Sequence, residues 1–262
     1  MRSVIALCSD DIAQRLIETR PDTFTFAHRG DWASIPALMD EIDGVLLCQS
    51  GDVPSLPGVV TLARRFPEKT VALVAPTCED AMLIDVCIVS AFPPERADAR
   101  RIWSEYTYAD VRTRLRILAR AVESAGLSPA LTQMLTSALR RPRPFASVAE
   151  LSDFTGLNRK TLWRHWDAEG AVFWPVRLLD VLDWITLVHV TARKTPAHTW
   201  ASLASWAGVS GRTLSRQAVK LMHGSLAELA ALEKDAALTR LTERLGRLLA
   251  RAPLAQPPVT HG

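Results

Sequence analysis

Two segments of this chain, 52 residues apart, share one pattern of residue types. The first runs from Leu151 to Arg164 and the second from Leu203 to Arg216. Leucine, glycine, threonine, leucine and arginine recur at the same five places, and most other places keep their chemical character. Self-similarity at a fixed offset indicates that one supersecondary unit is built twice. Because no strand pattern follows residue 127, we expect this unit to be helical.

Each position of the first copy has a physical reason. Ser152 is small enough for two helices to cross closely, and Gly156 supplies the positive φ of a tight turn between them. Leu157 lies under the turn, Asn158 caps the second helix, and Leu162 packs that helix onto the first. The second copy has residues of the same kinds at these places: Ala204, Gly208, Val209, Ser210 and Leu214. The pattern is typical of a helix-turn-helix.

The second helix of each copy, Asn158–Trp166 and Ser210–Val219, has a basic outer face. Lys160 and Arg164 lie opposite the packed leucine when successive residues are rotated by about 100°. The same places of the second copy hold Arg212 and Arg216. Two copies in register predict recognition helices that enter successive major grooves of DNA. A helical hairpin repeat that serves packing alone is the alternative.

The predicted DNA contacts come from both recognition helices and from the residue that opens each unit. Arg164 and Arg216 are expected to reach base edges, with guanine favoured because arginine can bond O6 and N7 together. Ser147 and Thr199 are expected to meet phosphates at helix N-termini. The predicted contact residues are Ser147, Asn158, Arg159, Lys160, Thr161, Trp163, Arg164, Thr199, Ser210, Arg212, Thr213, Ser215 and Arg216.

The tandem arrangement resembles the DNA-binding domain of the AraC/XylS family of regulators. The segment Leu214–Ser225 resembles the C-terminal signature of that family, with leucine and alanine at the places of two aromatic residues. One long buried helix joins the two units in the family; Phe173–Ala192 matches it, and Leu131–Arg140 matches the helix before the first unit. The resemblance covers residues 127–230. It implies a sequence-specific transcriptional regulator that is not an enzyme.

The first 95 residues alternate short apolar runs with helical patterns. The predicted strands are Ser3–Cys8, Thr23–Ala27, Gly44–Cys48, Thr70–Ala75 and Cys87–Phe92. The predicted helices are Asp11–Thr19, Trp32–Glu41, Ser55–Phe66 and Cys78–Ile84. This alternation predicts an α/β flavodoxin-like domain whose parallel strands lie in the order 2-1-3-4-5.

The order of these elements resembles a response-regulator receiver domain. Asp10 and Asp11 follow the first strand, where a receiver has its acidic Mg²⁺ pair. The other three functional places of a receiver (aspartate, hydroxyl residue and lysine) hold Cys48, Ala75 and Phe92. Because phosphoryl transfer needs a nucleophile and a cation, we expect a pseudo-receiver that small phosphodonors leave unmodified. Its two aspartates are then expected to cap a helix. A working receiver that uses Asp10 or Asp11 is the enzyme-class alternative.

The remaining segments complete the predicted domain plan. Residues 1–95 form the receiver-like domain, 96–126 a linker and connector helix, and 127–224 the tandem helix-turn-helix domain. Residues 225–251 form a C-terminal helix and 252–262 a disordered tail. Apolar stripes on Tyr108–Ala125 and Leu226–Arg251 have no evident partner in the chain, so a homodimer is expected. A docking adaptor that never touches DNA is the interaction-class alternative, and its N-terminal domain would bind another protein.

Charge is divided unevenly along the chain. Residues 1–126 carry 14 Lys and Arg against 18 Asp and Glu, whereas residues 127–262 carry 17 against 10. A basic half joined to an acidic half indicates that one half meets a polyanion such as double-stranded DNA. The four cysteines form no metal-binding motif and are expected to be buried, so no metal or cofactor is expected. Without a membrane-spanning run or a signal-peptide pattern, we expect a cytoplasmic, nucleoid-associated bacterial protein.

Overall fold

A computed structural model describes residues 2–29, 31–48, 56–75, 88–91, 93–195, 198–232 and 235–250. Contacts between residues divide the chain into two units, 1–113 and 114–262. Within the described residues, the first unit holds five strands, three short helices and the start of a long helix, and the second unit consists of helices. An α/β N-terminal region and a helical C-terminal region are therefore confirmed.

Five strands form the sheet of the first unit. They are β1 (Arg2–Leu7), β2 (Phe24–Arg29), β3 (Gly44–Cys48), β4 (Thr70–Ala75) and β5 (Ile88–Ala91). The strands lie in the order β2-β1-β3-β4-β5, and every neighbouring pair is parallel. The predicted strand order is confirmed. It is the order that the flavodoxin-like prediction implied.

The helices of this unit that lie between strands are short. They are α1 (Asp10–Glu18), α2 (Ile35–Leu38) after a 3-10 turn at Trp32–Ser34, and α3 (Leu56–Arg65). All residues of β3 and β4 are buried, as in a parallel sheet that is covered on both faces. The predicted helix Cys78–Ile84 lies outside the described residues.

The two acidic residues after β1 do not cap α1 as predicted. The N-cap is Ser9, and Asp10 and Asp11 occupy the first turn of the helix. Carboxylates in the first turn interact favourably with the positive end of the helix dipole, so their sequence position is still explained. Asp11 also lies 3.2 Å from the guanidinium of Arg15, one turn later.

A 26-residue helix, α4 (Ala99–Ser124), follows the sheet. It begins nine residues before the predicted start at Tyr108, where the sequence analysis placed a polar linker. Asp98 explains the difference, because its carboxylate accepts the N–H of Arg100 at 2.9 Å and so starts the helix. Ile102, Trp103 and Tyr106 are buried along this early part. Gly126, with φ of 68°, follows the end of the helix as predicted.

Nine further helices make up the second unit within the described residues. They are α5 (Pro129–Arg140), α6 (Val148–Thr155), α7 (Arg159–His165), α8 (Ala171–Phe173), α9 (Leu178–Arg193), α10 (Trp200–Trp206), α11 (Gly211–Gln217), α12 (Leu226–Ala231) and α13 (Ala236–Leu249). Nearly every residue of α9 is buried. This helix contacts α10 and α11 as well as α5, α6 and α13, so it forms the centre of the unit.

The predicted connecting helix Phe173–Ala192 starts too early. The backbone leaves the helical conformation at Trp174, with φ of −135° and ψ of 92°, and α9 begins only at Leu178. The reason is Pro175, since the residue before a proline is sterically driven out of the helical region.

The predicted single helix Leu226–Arg251 is interrupted. Leu232 ends α12 with an extended backbone, and α13 starts after Asp235. The carboxylate of Asp235 is held at 2.7 Å by Arg114, a tertiary contact that sequence periodicity does not reveal.

Both apolar stripes that suggested a homodimer are buried within the chain. Val111, Leu115 and Val122 of α4 are fully buried. The four leucines of the α13 stripe, Leu238, Leu241, Leu245 and Leu248, are at most 1% exposed, and α13 packs against α9. A homodimer would therefore need a different surface from the one expected.

Candidate nucleic-acid interface

The first pair of short helices, α6 and α7, is joined by a turn at Gly156. Its φ of 70° is a conformation that glycine adopts without steric cost. Beside it, the hydroxyl of Ser152 donates to the carbonyl oxygen of Leu157 at 2.6 Å, which closes the turn. Leu162 of α7 is fully buried against the neighbouring helices. The roles predicted for these turn and core residues are confirmed.

The second pair, α10 and α11, has the same turn. Gly208 has a φ of 77°, and the N–H of Val209 donates to the carbonyl of Ala204 at 2.9 Å. Ala204 and Leu214 are fully buried where the two helices meet. Ser152 and Ala204 thus occupy matching places, and a backbone hydrogen bond replaces the hydroxyl contact of the first copy.

All four short helices have a polar side-chain cap. The side-chain hydroxyls of Ser147, Thr199 and Ser210 each accept the backbone N–H of the residue three places later in the chain, at 3.2, 3.1 and 3.0 Å. The side-chain oxygen of Asn158 accepts the backbone N–H of the residue two places later, at 2.8 Å. Each cap satisfies one backbone donor that has no partner inside its own helix. The two caps predicted for the recognition helices are confirmed.

The repeat extends beyond the fourteen residues that reveal it in the sequence. Helices α6 and α10 begin 52 residues apart, and α7 and α11 both begin and end 52 residues apart. Each second helix then continues into one π-helical turn, Trp166–Gly170 and Ala218–Met222, at the same offset. A long helix contacts both members of each pair: α5 contacts α6 and α7, and α9 contacts α10 and α11. The structure therefore contains one three-helix element twice.

The predicted contact residues lie on the outside of this repeat. Eleven of the thirteen are exposed, and Ser147 and Thr161 are half-buried. Both α7 and α11 keep a leucine inside and turn their basic residues outward, as the periodicity predicts.

Five exposed cations lie on α7 and α11: Arg159, Lys160, Arg164, Arg212 and Arg216. Among the described residues, no carboxylate lies within 4.0 Å of any of them. Asp167 is the one acidic residue in the two helices and their π-helical turns that is exposed. The outward face therefore presents positive charge that intramolecular partners do not neutralise.

Polar contacts hold α11 and its π-helical turn on α9. The amide of Gln217 donates to Asp183 at 2.6 Å, and Lys220 forms an ion pair with Asp180. Burial alone would raise the pKa of Asp180, but Lys220 and Arg177 lower it below its ordinary value. Burial raises the pKa of Asp183, against the opposing effect of Gln217. Lys220, part of the family-like signature, therefore has a structural partner and differs in this from the five exposed cations.

Arg143 is a surface cation that the sequence analysis missed. Its guanidinium lies 2.8 Å from where a Cβ on Gly208 would be, so the loop before α6 contacts the turn of the second helix pair. This contact joins the first helix pair (α6 and α7) to the second (α10 and α11), and α9 packs against helices of both pairs. No spacing pattern marks Arg143, because its role depends on a turn 65 residues away.

Glu150 ties the start of α6 to the preceding loop. Its carboxylate accepts the N–H of Ala146 at 2.8 Å and pairs with Arg141 at 2.6 Å. Burial alone would raise the pKa of Glu150, but Ala146 and Arg141 lower it below the ordinary glutamate value. Because the pKa of this carboxyl is lower in the folded protein than in the unfolded chain, the carboxylate stabilises the fold at pH values above its unfolded-state pKa. This contribution to stability is lost as the pH falls through the pKa that Glu150 has in the folded protein.

We expect Glu150→Gln to lower the free energy of unfolding at pH 7 by about 1 kcal/mol, a figure reduced for the partial exposure of the ion pair. The difference from the unsubstituted protein should shrink when urea denaturation is repeated near pH 3. Glu243→Gln, at an exposed place on α13, is the matched control and should have little effect at either pH. Equal losses at both pH values would contradict the electrostatic explanation.

Two cysteines lie at the carboxyl ends of neighbouring strands, Cys8 after β1 and Cys48 at the end of β3. Cys48 ends β3 and is buried, and burial raises the pKa of its thiol. Burial, followed by the nearby charge of Asp10, raises the pKa of Cys8 to about 12. Both thiols are therefore protonated at neutral pH. The expected burial holds for Cys48, while Cys8 is half-buried; Cys78 and Cys87 lie outside the described residues.

No protein-family model, curated protein or solved structure matches this chain. Within the described residues, no group of three His, Cys, Asp or Glu side chains is arranged to hold a metal ion. None of the helices in the described ranges is both long and apolar enough to cross a membrane.

Proposed function

We propose that this protein is a sequence-specific DNA-binding regulator that reads two adjacent major grooves with α7 and α11. The observation that carries the proposal is the exact repetition of one three-helix element with a basic outer face. Two such elements joined through a rigid buried helix suit a duplex whose major groove returns about every 34 Å. Since a packing role alone would not require unpaired cations at matching places, the repetition of Lys160/Arg212 and Arg164/Arg216 favours a polyanionic partner.

The resemblance to AraC/XylS regulators supports the same proposal. Arg164 and Arg216 lie in the second turn of each recognition helix, where a side chain can reach base edges. Lys160 and Arg212 lie nearer the helix start and suit phosphates as well as bases. Ser147 and Thr199, at the caps of the first helices, suit phosphate contacts.

Selection of bound duplexes from a random pool, followed by affinity measurement on the selected site, tests the proposal. We expect Arg164→Ala and Arg216→Ala each to weaken binding of that site by about 1–3 kcal/mol and to relax preference at one or two base pairs. The two variants should relax different base pairs, because they belong to different recognition helices.

Arg244→Ala and Arg247→Ala are matched controls, since both arginines are exposed on α13 and their loss removes the same charge. They should weaken binding to all duplexes slightly and equally. If the recognition-helix variants behave like these controls while circular dichroism shows an intact fold, the DNA-reading assignment is wrong. The docking adaptor would then be the better explanation.

We further propose that the N-terminal unit regulates the DNA-binding unit or docks another protein without being phosphorylated. Its strand order and its exposed Asp10 and Asp11 support a relationship with receiver domains. The buried thiol at the end of β3 supports the loss of phosphoryl chemistry there, because an apolar, protonated group cannot replace a carboxylate nucleophile.

A further inference from the structure

Trp163 is the most exposed of the eight tryptophans in this chain. Its side chain is 50% exposed, whereas the other seven are buried or half-buried. Three residues later, Trp166 at the start of the π-helical turn is fully buried. Tryptophan is enriched at binding interfaces, because it combines a large apolar surface with one polar group.

Trp163 lies in an open surface depression among charged side chains. It lines an open depression on the outward face of α7 together with Arg159, Lys160, Arg164 and Asp167. No ring stacking or cation–π contact occupies its indole within the described part of the chain. An apolar surface bordered by unpaired cations suits a partner that combines negative charge with a small apolar feature.

The major groove of DNA offers one such feature, the 5-methyl group of thymine. Resting on the proposed function, we propose that Trp163 packs on a thymine methyl group and makes thymine a requirement of the half-site read by α7. The cations beside it meet the phosphates on either side, and the indole excludes water from the methyl group.

The second copy has Ser215 at the place that matches Trp163. Ser215 is exposed on α11, so the two recognition helices share their arginines but differ in this one outward residue. A hydroxyl cannot form a dry apolar contact with a methyl group. The thymine requirement therefore belongs to one half-site, and the bound sequence is chemically asymmetric.

The test starts from the selected duplex, in which base pairs relaxed by Arg164→Ala mark the half-site of α7. Each thymine there is replaced in turn by deoxyuridine, which removes the methyl group and keeps every hydrogen-bonding group. We expect one replacement to weaken binding of the unsubstituted protein about fourfold, the value of burying one methyl group. Replacement of thymines in the other half-site should have little effect.

Trp163→Ser, which installs the residue of the second copy, should weaken binding to the thymine duplex and abolish the difference between thymine and deoxyuridine. Val172→Ser, a change at another exposed apolar side chain that lies outside both proposed recognition helices, is the control and should keep the difference. The thymine contact is overturned if the selected half-site contains no thymine, if deoxyuridine binds equally well, or if Trp163→Ser keeps the penalty. In each of these cases the arginine variants still report separately on the proposed function. Failure to select any duplex would overturn both.

Discussion

Trp166→Ala is expected to lower the free energy of unfolding by about 3–5 kcal/mol, the usual cost of deleting a large buried aromatic ring. Trp166 is fully buried in the π-helical turn that follows α7, and its ring centroid lies 6.3 Å from that of Trp174. Its indole N–H donates to the carbonyl of Val176 at 2.7 Å, and the substitution would leave that oxygen without this donor. Urea denaturation followed by circular dichroism measures the loss.

Trp163→Ala provides the matched control, because it deletes the same kind of side chain three residues earlier, at an exposed place on α7. We expect it to cost about 1 kcal/mol or less. Similar losses in the two variants would show that the Trp166 ring does not anchor this helix pair. Gly170 adds a second check, since a Cβ there would lie 2.6 Å from the Trp166 ring and Gly170→Ala should also destabilise the turn.

The parts of the second unit that could be predicted from sequence are those determined by local stereochemistry. Gly156 and Gly208 were identifiable because a tight turn between two helices needs a positive φ. Asn158 and Ser210 were identifiable because a helix start leaves backbone donors that a short polar side chain satisfies. Repetition of these signals at one offset made each of them more reliable than a single occurrence.

The parts that could not be predicted depend on tertiary contacts. The interruption before α13 coincides with the ion pair between Arg114 and Asp235, residues 121 apart in the chain. The burial of the α13 leucines depends on α9, which the sequence pattern of α13 cannot reveal. An amphipathic stripe predicts that a helix face is covered, and it does not tell whether the same chain or a second copy covers it.

Two wrong helix boundaries, the starts of α9 and α4, were determined by single residues that the helical periodicity does not take into account. Pro175 excludes a helix at Trp174, and Asp98 starts a helix where composition suggested a polar linker. In the candidate interface, sequence identified the outward cations correctly because helical periodicity alone determines which side opposes a buried leucine. It missed Arg143, whose place beside Gly208 arises only from the packing of two helix pairs.

Gly44→Ala should destabilise the first unit by about 1–3 kcal/mol or more, because the added methyl group has no room. Gly44 begins β3 between β1 and β4, and a Cβ there would lie 2.6 Å from the carbonyl oxygen of Thr70 and 2.8 Å from its Cβ. The hydroxyl of Tyr106 would be nearer still. The carbonyl belongs to a strand of the sheet and cannot move without disturbing the ladder between β3 and β4.

Gly246→Ala tests the same substitution where space is free. A Cβ at Gly246, inside α13, would meet nothing within 4 Å. Alanine has the higher helix propensity, so this variant should gain about 0.5–1 kcal/mol. Urea denaturation of both variants should therefore give shifts of opposite sign.

Tyr106→Phe separates the two neighbours of Gly44, because it removes the hydroxyl group and leaves the Thr70 carbonyl in place. Combined with Gly44→Ala in a double-mutant cycle, it should recover part of the lost stability through a favourable coupling between the two positions. No coupling would mean that the backbone of β4 alone excludes the methyl group. A stability of Gly44→Ala equal to that of the unsubstituted protein would contradict the close packing of Tyr106 and Thr70 on this strand.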